Sequence, residues 1–346
     1  MKPTRPTIRD VAERAAVSRG TVTRVLSGSP RVLPTTRARV LEAIAVLDYQ
    51  PSSIARALRL QRTRTVGLIV TDITNPFYPE VVRGFEDAAE RLGLGVFLSN
   101  AAEDPDREAR SLALLQERRV DAVVVAAGGL RHRQADALRS FPVPVVIVNA
   151  SSPDPRIPAV LSDSRAGGRM AAQHLIDLGH RRLVYVLGPR EADETPVRLE
   201  GAREAARSSQ GVTLDVVQGD GHLSGGTAAA RSVTLAGTPP FAFICHNDMT
   251  AIGAMHGLSE AGLGIPGDAS VIGFDDIALT EYTVPPLTTV AQDKYAMGRR
   301  AVEILDRMLA GEAVSGTERL PVHLITRGST ARPSGSVGGS AVTTAR

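Results

Sequence analysis

The residues from Thr7 to Leu26 constrain the fold most, because their apolar side chains repeat with the spacing of two short helices. The repeat is i, i+3, i+4, i+7 in the first helix, and each helix therefore has one face to bury. Thr7 and Ser18 are suited to cap the two helices, which places a tight turn at Ala16 and Val17 between them. The apolar positions are Ile8, Val11, Ala12 and Ala15 in the first helix and Val22, Val25 and Leu26 in the second. Two helices joined in this way are typical of a helix-turn-helix motif.

In a helix-turn-helix, the second helix enters the major groove of DNA with its N-terminal residues at the base edges. The residues in that position here are Arg19, Gly20, Thr21, Thr23 and Arg24. A small helical pair without a DNA-binding role has the same apolar pattern, so the pattern alone leaves both interpretations open. A third helix is predicted next, followed by a Tyr-x-Pro break and a short helix of about two turns. The apolar face of the third helix consists of Val40, Leu41, Ile44 and Leu47.

The charge of the chain is divided unevenly, and this favours the DNA-binding interpretation. The whole chain has a net charge of +3, yet residues 1–65 contain 13 Lys and Arg against 4 Asp and Glu and so carry +9, while the remainder carries −6. A basic segment beside an acidic body is the electrostatic pattern of a nucleic-acid binder. When Lys and Arg side chains neutralise phosphates, the nucleic acid releases its counterions, and this release favours binding. A basic segment that is merely solvated is the alternative.

The sequence argues against secretion, a membrane span, a bound metal and a catalytic centre. The N-terminus lacks the apolar core of a signal peptide, and no run reaches the ~18 apolar residues that a membrane helix needs, so we expect a cytoplasmic protein. Cys245 is the single cysteine, and the seven histidines form no metal-binding motif. The G-x-G-x-x-G at residues 262–267 follows no strand and contains Pro266, which is not the context of a dinucleotide fingerprint. Asp275 and Asp276 are neighbours at a strand end and point apart, so they do not form a catalytic carboxylate pair. Together these observations lead us to expect no enzyme activity, no cofactor and no metal.

Beyond residue 65, apolar strand-like runs alternate with amphipathic helical runs, and this alternation occurs in two successive units. Near-continuous Val, Ile and Leu strands are typical of parallel sheets covered by helices on both faces. Two doubly wound units leave a cleft between them, and open sheets of this type bind ligands at the carboxyl ends of their strands. The side chains that follow four of the strands are Phe77 and Tyr78, Asn149, Asn247 and Asp248, and Asp275. This pattern predicts a site for a small polar molecule.

The run from Thr7 to Leu58 resembles the headpiece and hinge of the lactose-repressor and galactose-repressor (LacI/GalR) family of bacterial transcription regulators. The resemblance continues through NPFY at residues 75–78, LGHRR at 178–182, HND at 246–248, IGFDD at 272–276 and PPLTTV at 285–290. It implies a small all-α helix-turn-helix headpiece and an α/β body like that of the periplasmic binding proteins. That body has two doubly wound parallel-sheet subdomains, and the chain crosses between them three times.

The resemblance also implies domain boundaries. The expected parts are a headpiece at 1–49, a hinge helix and linker at 50–64, an effector-binding and dimerisation domain at 65–328, and a disordered tail at 329–346. Within the body, the first subdomain is expected at 65–162 and 291–317, and the second at 163–290 and 318–328. The tail is rich in Gly and Ser without apolar periodicity, which predicts disorder. It contains no leucine heptads, and we therefore expect a dimer.

The functional residues of the family carry over to matching positions. Those expected to contact DNA are Thr7, Ser18, Arg19, Gly20, Thr21, Thr23, Arg24, Ser27, Arg31, Thr36 and Leu58, the last as a wedge in the minor groove. Those expected to contact the effector are Phe77, Tyr78, Asn149, Arg198, Asn247 and Asp275, with a plain surface charge as the alternative for Arg198. Three residues depart from the family. Gly221 stands where family members often have an aromatic residue in the pocket, Ala16 stands where the turn usually has glycine, and Leu33 replaces the serine that usually caps the third helix.

These observations predict a ligand-responsive transcriptional repressor that binds a palindromic double-stranded DNA operator as a homodimer. Its effector is expected to be a small polar molecule, a sugar or sugar derivative, and no membrane is expected as a partner. The alternative is a solute-binding protein of a transport system, which the body alone would suit. The basic headpiece and the missing signal peptide argue against that alternative. The sign of the ligand's effect on DNA binding stays open, because one equilibrium between open and closed states can produce either sign.

Overall fold

The computed structural model describes residues 6–50, 62–126, 136, 138–189, 194–237 and 239–333, in two compact units that divide after Thr63. In its described residues, the first unit contains the helices α1 (Ile8–Arg14), α2 (Arg19–Leu26) and α3 (Pro34–Val46). Their apolar faces meet in a core that includes Val11, Val22, Val25, Val40 and Tyr49. The predicted pair of helices and the third helix are therefore present.

The first two helices begin at the capping residues that the sequence predicts. The backbone N–H and the hydroxyl of Thr7 both donate to Oδ2 of Asp10, at 2.7 and 2.8 Å. The backbone N–H of Thr21 donates to Oγ of Ser18 at 3.1 Å. These bonds satisfy backbone donors that have no partner within a helix.

The turn between α1 and α2 contains a strained residue. Ala16 has a φ of 48°, in the left-handed region of the backbone. Glycine adopts this conformation without strain, whereas for an L-residue it costs about 1 kcal/mol or more of conformational free energy. Arg39 of α3 donates to the carbonyls of Ala15 and Ala16, which holds this turn in place. Leu33 provides no side-chain cap for α3, as its apolar side chain predicts.

The second unit contains two sheets of six strands each. The first is built from β1 (Thr65–Val70), β2 (Gly95–Asn100), β3 (Ala122–Ala126), β4 (Val145–Val148), β5 (Ala159–Ser162) and β11 (Thr317–Leu320). Its strands are all parallel, in the order β11-β5-β4-β3-β1-β2. Leu68 packs under the helices α4 (Tyr78–Arg91) and α10 (Lys294–Leu309), while its neighbour Ile69 packs on the other face with α5 (Pro105–Glu117).

The second sheet has the order β12-β10-β9-β8-β6-β7. Its strands are β6 (Arg182–Val186), β7 (Thr213–Val217), β8 (Phe241–Cys245), β9 (Ala269–Asp275), β10 (Thr288–Gln292) and β12 (Val322–Ile325). Its helices are α6 (Ser164–Asp177), α7 (Glu194–Arg207), α8 (Leu223–Ala236) and α9 (Asp248–Glu260), with a 3₁₀ turn at Ala278–Glu281. The prediction of two doubly wound sheets is confirmed, with β12 as an antiparallel edge strand against β10.

Close packing between α6 and α7 depends on two glycines. A Cβ atom on Gly168 would lie 1.9 Å from the carbonyl oxygen of Arg198, and one on Gly201 would lie 2.0 Å from that of Arg165. Neither helix could approach the other so closely with a larger residue at these positions. The two glycines therefore fix the place of Arg198 relative to the second sheet.

The chain crosses between the subdomains at positions that differ in part from the prediction. The crossing after Ser162 lies where we expected it, but the other two expected boundaries, 290/291 and 317/318, are displaced. Strand β10 continues to Gln292 because Ala291 still pairs with Asp275 of β9. Strand β11 stays in the first sheet to Leu320, which pairs with Ser162. The crossings therefore fall after residues 292 and 320.

The first residues of the expected disordered tail are ordered. Ser329 is fully buried, and its hydroxyl donates to the carbonyl of Val271 at 2.6 Å while accepting from the backbone N–H of Thr288 at 2.8 Å. The backbone N–H of Ala331 donates to Oγ of Ser270 at 3.0 Å. The prediction of disorder is wrong for Ser329 and Ala331 because hydrogen bonds to β9 and β10 hold them in place. Such bonds need no apolar periodicity, so the sequence pattern gave no sign of them. Residues 334–346 lie outside the described ones.

The start of the body is also tied to the first sheet. The backbone N–H of Arg64 donates to Oδ2 of Asp121 at 2.6 Å, so the linker ends one residue before the expected position 64. The expected hinge helix, with Leu58, falls in residues 51–61, outside the described part of the chain. Among the described helices, none is long and apolar enough to cross a membrane. The same residues contain no cluster of three His, Cys, Asp or Glu side chains that could hold a metal ion.

Candidate functional site

The first candidate site is the solvent-facing side of α2 in the headpiece. Val22 and Val25 are buried in the headpiece core, and this leaves Arg19, Gly20 and Arg24 exposed. Neither guanidinium forms a hydrogen bond or an ion pair with another described residue. The helix therefore presents two cationic side chains with open donors, which is what contact with base edges or phosphates requires.

The hydroxyl groups around α2 are largely satisfied within the headpiece. Ser18 and Thr21 share a hydrogen bond of 3.0 Å between their hydroxyls. The hydroxyls of Thr23 and Ser27 donate to backbone carbonyls one turn earlier, at 3.0 and 3.1 Å. The remaining predicted DNA-contacting residues of the described headpiece are Thr7 and Arg31, which are exposed, and Thr36, which is half-buried.

The second candidate site lies at the carboxyl ends of the strands of the body, between the two sheets. Asp275 ends β9 with a φ of 121°, a strained value for a residue with a side chain. Its Oδ1 accepts from Nε2 of Gln292 at 2.6 Å. Lys294, at the start of α10, donates to the carbonyls of Asp275 and Asp276 at 2.7 and 2.8 Å. The end of β9 is thus fastened to the crossover that leads back to the first subdomain.

The carboxyl group of Asp275 is 5% exposed. Burial raises its pKa to about 6, although the charges of Arg198 and Lys294 act in the opposite direction. The neighbouring Asp248 is completely buried, and burial together with the charge of Asp275 raises its pKa well above the ordinary value. Both oxygens of Asp248 accept hydrogen bonds, from the Thr289 hydroxyl at 2.6 Å and the Ile277 N–H at 2.9 Å. Asp248 therefore supports the strand end, whereas Oδ2 of Asp275 carries no such bond to a described residue.

Arg198 occupies the same region from α7 and is only 4% exposed. Its guanidinium carbon lies 3.5 Å from the centroid of the Phe274 ring. It donates to the carbonyl of His246 and, at 3.5 Å, to Oγ of Ser164. Burial and the charge of Arg198 lower the pKa of His246 well below its ordinary value, so that ring is neutral. The alternative of a surface charge for Arg198 is wrong, because helix packing turns this face of α7 inwards.

Phe77, Tyr78 and Asn149 come from the first subdomain. The two aromatic rings are buried edge to face, with centroids 5.2 Å apart. Burial raises the pKa of Tyr78 to about 12, while hydrogen bonds to Thr71 and Asn149 oppose that rise. The charge of Asp275, which belongs to the second subdomain, also raises the pKa of Tyr78. An electrostatic interaction thus connects these two predicted residues across the cleft.

Both ends of the Asn247 side-chain amide form hydrogen bonds within the fold. Its Oδ1 accepts from the backbone N–H and the hydroxyl of Thr250, at 2.8 and 2.7 Å, and so caps α9. Its Nδ2 donates to the carbonyl of Gly221 at 2.9 Å. These bonds hold the Gly221 loop beside the cleft, and direct contact between Asn247 and a ligand stays a prediction.

Several polar atoms of the cleft have no hydrogen-bond partner in the described part of the chain, and most of them belong to residues that were not among the predicted effector contacts. Buried atoms without a hydrogen-bond partner among the described residues include Nε of Arg198, Nδ1 of His246, Oε1 of Gln292 and Oε2 of Glu194. His222 follows the Gly221 loop, and its Nε2 lies 3.2 Å from Oε2 of Glu103, which belongs to the first subdomain. Sequence spacing could not reveal His246, Gln292 and Glu194 as parts of the cleft, because they come from different elements and meet only after folding.

Comparison with known proteins identifies relatives of both the headpiece and the body. The model for "Bacterial regulatory proteins, lacI family" matches residues 7–52, and the model for "Periplasmic binding protein-like domain" matches residues 172–330. Catabolite control protein A of Priestia megaterium is 34% identical over 94% of this chain and 99% of its own length. The Lac repressor dimer bound to operator and the anti-inducer ONPF is 28% identical, with a TM-score of 0.86 over 94% of this chain and 99% of that one. A transcriptional regulator CelR–cellobiose complex is 32% identical, with a TM-score of 0.72 over 94% and 100%.

Proposed function

Because the chain belongs to the lacI family of bacterial regulatory proteins, it is a DNA-binding transcriptional regulator, and we propose that it represses transcription under the control of a small polar, sugar-like effector. The observation that carries the effector proposal is the set of buried, unpartnered polar atoms at the strand ends between the two sheets. A buried polar atom without a hydrogen-bond partner costs free energy, and a ligand that pairs with these atoms recovers it.

The contacts of the cleft support a route from effector to operator. Asp275 and Arg198 belong to the second subdomain, whereas Tyr78 and Asn149 belong to the first. A ligand held by both groups stabilises one relative placement of the subdomains. Lys294 joins the same strand end to α10, so a change at Asp275 is transmitted into the first subdomain. Differential affinity of the ligand for the two placements then changes operator affinity.

We further propose a homodimer that binds a palindromic DNA operator in the cytoplasm, with Leu58 as the minor-groove wedge. The similarity to a Lac repressor dimer on its operator supports this assembly. The exposed arginines of α2 supply the contacts that such an operator requires. We propose neither catalysis nor a cofactor, since the relatives are named as regulators of transcription. The alternative of a transport solute-binding protein finds no support, because these relatives match over the headpiece as well as the body.

The test is an operator titration with full-length protein and the intergenic DNA next to its gene, at rising concentrations of candidate sugars. The wild type should change its operator affinity on ligand addition by about 1–3 kcal/mol. Asp275→Ala should abolish that change and leave the affinity without ligand near the wild-type value, because the lost carboxylate leaves groups of the ligand unpaired. Asp215→Ala, at an exposed position of β7, is the matched control. An unchanged response in Asp275→Ala would place the effector elsewhere.

A further inference from the structure

A side-chain contact joins the two subdomains at the side of the cleft that lies farthest from the crossovers. Nε2 of His222 lies 3.2 Å from Oε2 of Glu103. Glu103 follows β2 and His222 follows β7, and these strands form the outer edges of the first and second sheets. The crossovers after residues 162, 292 and 320 leave the sheets at β5, β10 and β11, which lie at or next to the opposite edges. The pair therefore spans the cleft at its open side.

The distance from the crossovers makes this contact sensitive to the placement of the subdomains. Neighbouring strands lie about 4.8 Å apart, so the outer edge of a six-stranded sheet stands about 24 Å from its crossover edge. At that distance, a hinge rotation of about 10° moves the outer edge by about 4 Å, which is more than a hydrogen bond tolerates. The contact therefore exists in the closed placement of this structure and is lost when the cleft opens.

The first subdomain holds Glu103 in an unusual backbone conformation. Ala102 and Glu103 have φ values of 50° and 57°, and both are left-handed without being glycine. Such residues are strained and persist where the surrounding structure holds them. Here the backbone N–H of Ala102 donates to Oδ1 of Asn100 at 3.2 Å. The backbone N–H of Glu103 donates to the carbonyl of Thr71 at 2.9 Å, so the loop that carries the carboxylate is fixed to its own subdomain.

The second subdomain fixes His222 as well. Its backbone N–H donates to Oδ1 of Asp220 at 2.8 Å. The carbonyl of Gly221 accepts from Nδ2 of Asn247 at 2.9 Å, and glycine suits the φ of 88° at this position. His222 is also the N-cap residue of α8, yet its side chain forms no capping bond. The imidazole contacts Glu103 of the other subdomain instead of its own helix.

The contact is attractive in both protonation states of the imidazole. A carboxylate only accepts hydrogen bonds, so Nε2 carries the hydrogen, and a second proton on the ring adds an opposite charge. The side chains of His222 and Glu103 are 44% and 45% exposed, and water screens their attraction. An exposed pair of this kind changes an equilibrium constant by about two- to fivefold. An equilibrium between open and closed placements changes by the same factor.

We propose that His222 and Glu103 form a latch, which stabilises the closed placement of the subdomains before any effector binds and thereby adjusts the ligand-free operator affinity. This inference rests on the proposed function, because it takes operator affinity to depend on the placement of the subdomains. The latch needs no contact with the effector. Its loss shifts the ligand-free protein towards the open placement and changes operator affinity in one direction.

The first test measures closure in the full-length chain without DNA or ligand. Glu103→Cys and His222→Cys are combined, and a short bis-maleimide joins the two thiols where the loops meet, since Cys245 is buried and does not compete. The matched control combines His222→Cys with Glu117→Cys, at the opposite end of α5 and about 18 Å along that helix. The Glu103 pair should give a cross-linked monomer on a denaturing gel several times faster than the control. Equal rates would overturn the proposal.

The second test reverses the charges of the latch and measures ligand-free operator affinity. Glu103→Lys and His222→Glu each remove the attraction, so each should change the affinity by about two- to fivefold, in the same direction. The double variant restores an attraction of opposite polarity and should return to the wild-type affinity. A residue that acts only on the stability of its own loop shows no such recovery.

The control for the charge reversal is the ion pair between Arg231 of α8 and Glu260 of α9. Both partners are exposed, but both lie within the second subdomain. Arg231→Glu and Glu260→Lys alter the net charge of the chain in the two directions and should leave operator affinity at the wild-type value. Single latch variants that match these controls would overturn the proposal, as would a double variant that fails to recover.

The two tests separate the latch from the function on which it rests. A wild type that binds its operator, beside latch variants that bind it equally well, removes the latch and leaves the proposed function intact. A wild type that binds no operator DNA under any condition overturns the proposed function, and the cross-linking rates alone then decide whether the latch closes the cleft.

Discussion

Arg24 of the headpiece and Arg198 of the body were both identified by position in a motif, yet the structure uses them in opposite ways. Arg24 is exposed and makes no side-chain bond to a described residue, whereas Arg198 is 4% exposed and is held by a ring, a carbonyl and a hydroxyl. A partner outside the chain can engage Arg24 without changing the fold. Arg198 is part of the fold, so its function and its contribution to stability cannot be separated.

The largest effect that tests this contrast is expected for Arg198→Ala. The change leaves the carbonyl of His246 without its donor and the face of Phe274 without its cation, and it should cost about 3 kcal/mol of unfolding free energy. Arg203→Ala, at an exposed position of the same helix, should stay within about 0.5 kcal/mol of the wild type. Urea unfolding of the full-length chain, followed by circular dichroism, measures both. Equal losses would mean that the contacts of Arg198 contribute nothing specific.

The second effect is a dependence of stability on pH. Since the pKa of Asp275 is raised from the ordinary 3.8 to about 6, the folded chain holds a proton that the unfolded chain has lost in that range. The resulting stabilisation is complete below about pH 4, and it is lost as the pH rises through 6, by about 3 kcal/mol at most. The raised pKa of Asp248 acts in the same direction. Unfolding free energies of the wild type and Asp275→Asn between pH 4 and 8 should differ in slope, and parallel curves would contradict this assignment.

A third effect tests the exposed side of the comparison. Since Gly20 has no side chain, Arg19 must provide most of the base discrimination at its end of α2. Arg19→Ala should cost about 1–3 kcal/mol on the preferred operator and much less on random DNA. It should leave the unfolding free energy unchanged, in contrast to Arg198→Ala. Fluorescence anisotropy with both DNAs measures the difference. Equal losses of affinity on the two DNAs would show that Arg19 contacts only phosphate.

The smallest effect concerns the turn of the headpiece. Ala16→Gly removes the strain of a left-handed alanine, while the unfolded chain gains freedom, so a net stabilisation of at most about 1 kcal/mol is expected. Hydrogen exchange of the α1–α3 amides in the full-length chain should slow slightly. Faster exchange would show that the bonds from Arg39 already compensate for the strain.

The sequence alone determined the features that depend on local spacing. The helices α1, α2 and α3 appear because the apolar residues repeat with helical period, and Ser18 caps α2 because a helical run follows it. The family and the doubly wound fold were predicted from motifs and are confirmed. The exact ends of the subdomains were not, because strand pairing between distant segments, such as Leu320 with Ser162, decides them.

Only the tertiary structure decided which side chains meet. His180 shows the limit, since in the sequence it simply follows the end of α6. Its Nε2 lies instead 3.0 Å from Oγ of Ser270 and 2.9 Å from the carbonyl of Ala331. The cleft was assembled in the same way, from Asp275 at the end of β9, Arg198 on α7 and Tyr78 on α4. Local periodicity carries no information about such contacts, because the hydrogen-bond partners of Arg198 and His180 are 34 to 151 residues away in the sequence and are brought close by sheet order and helix packing.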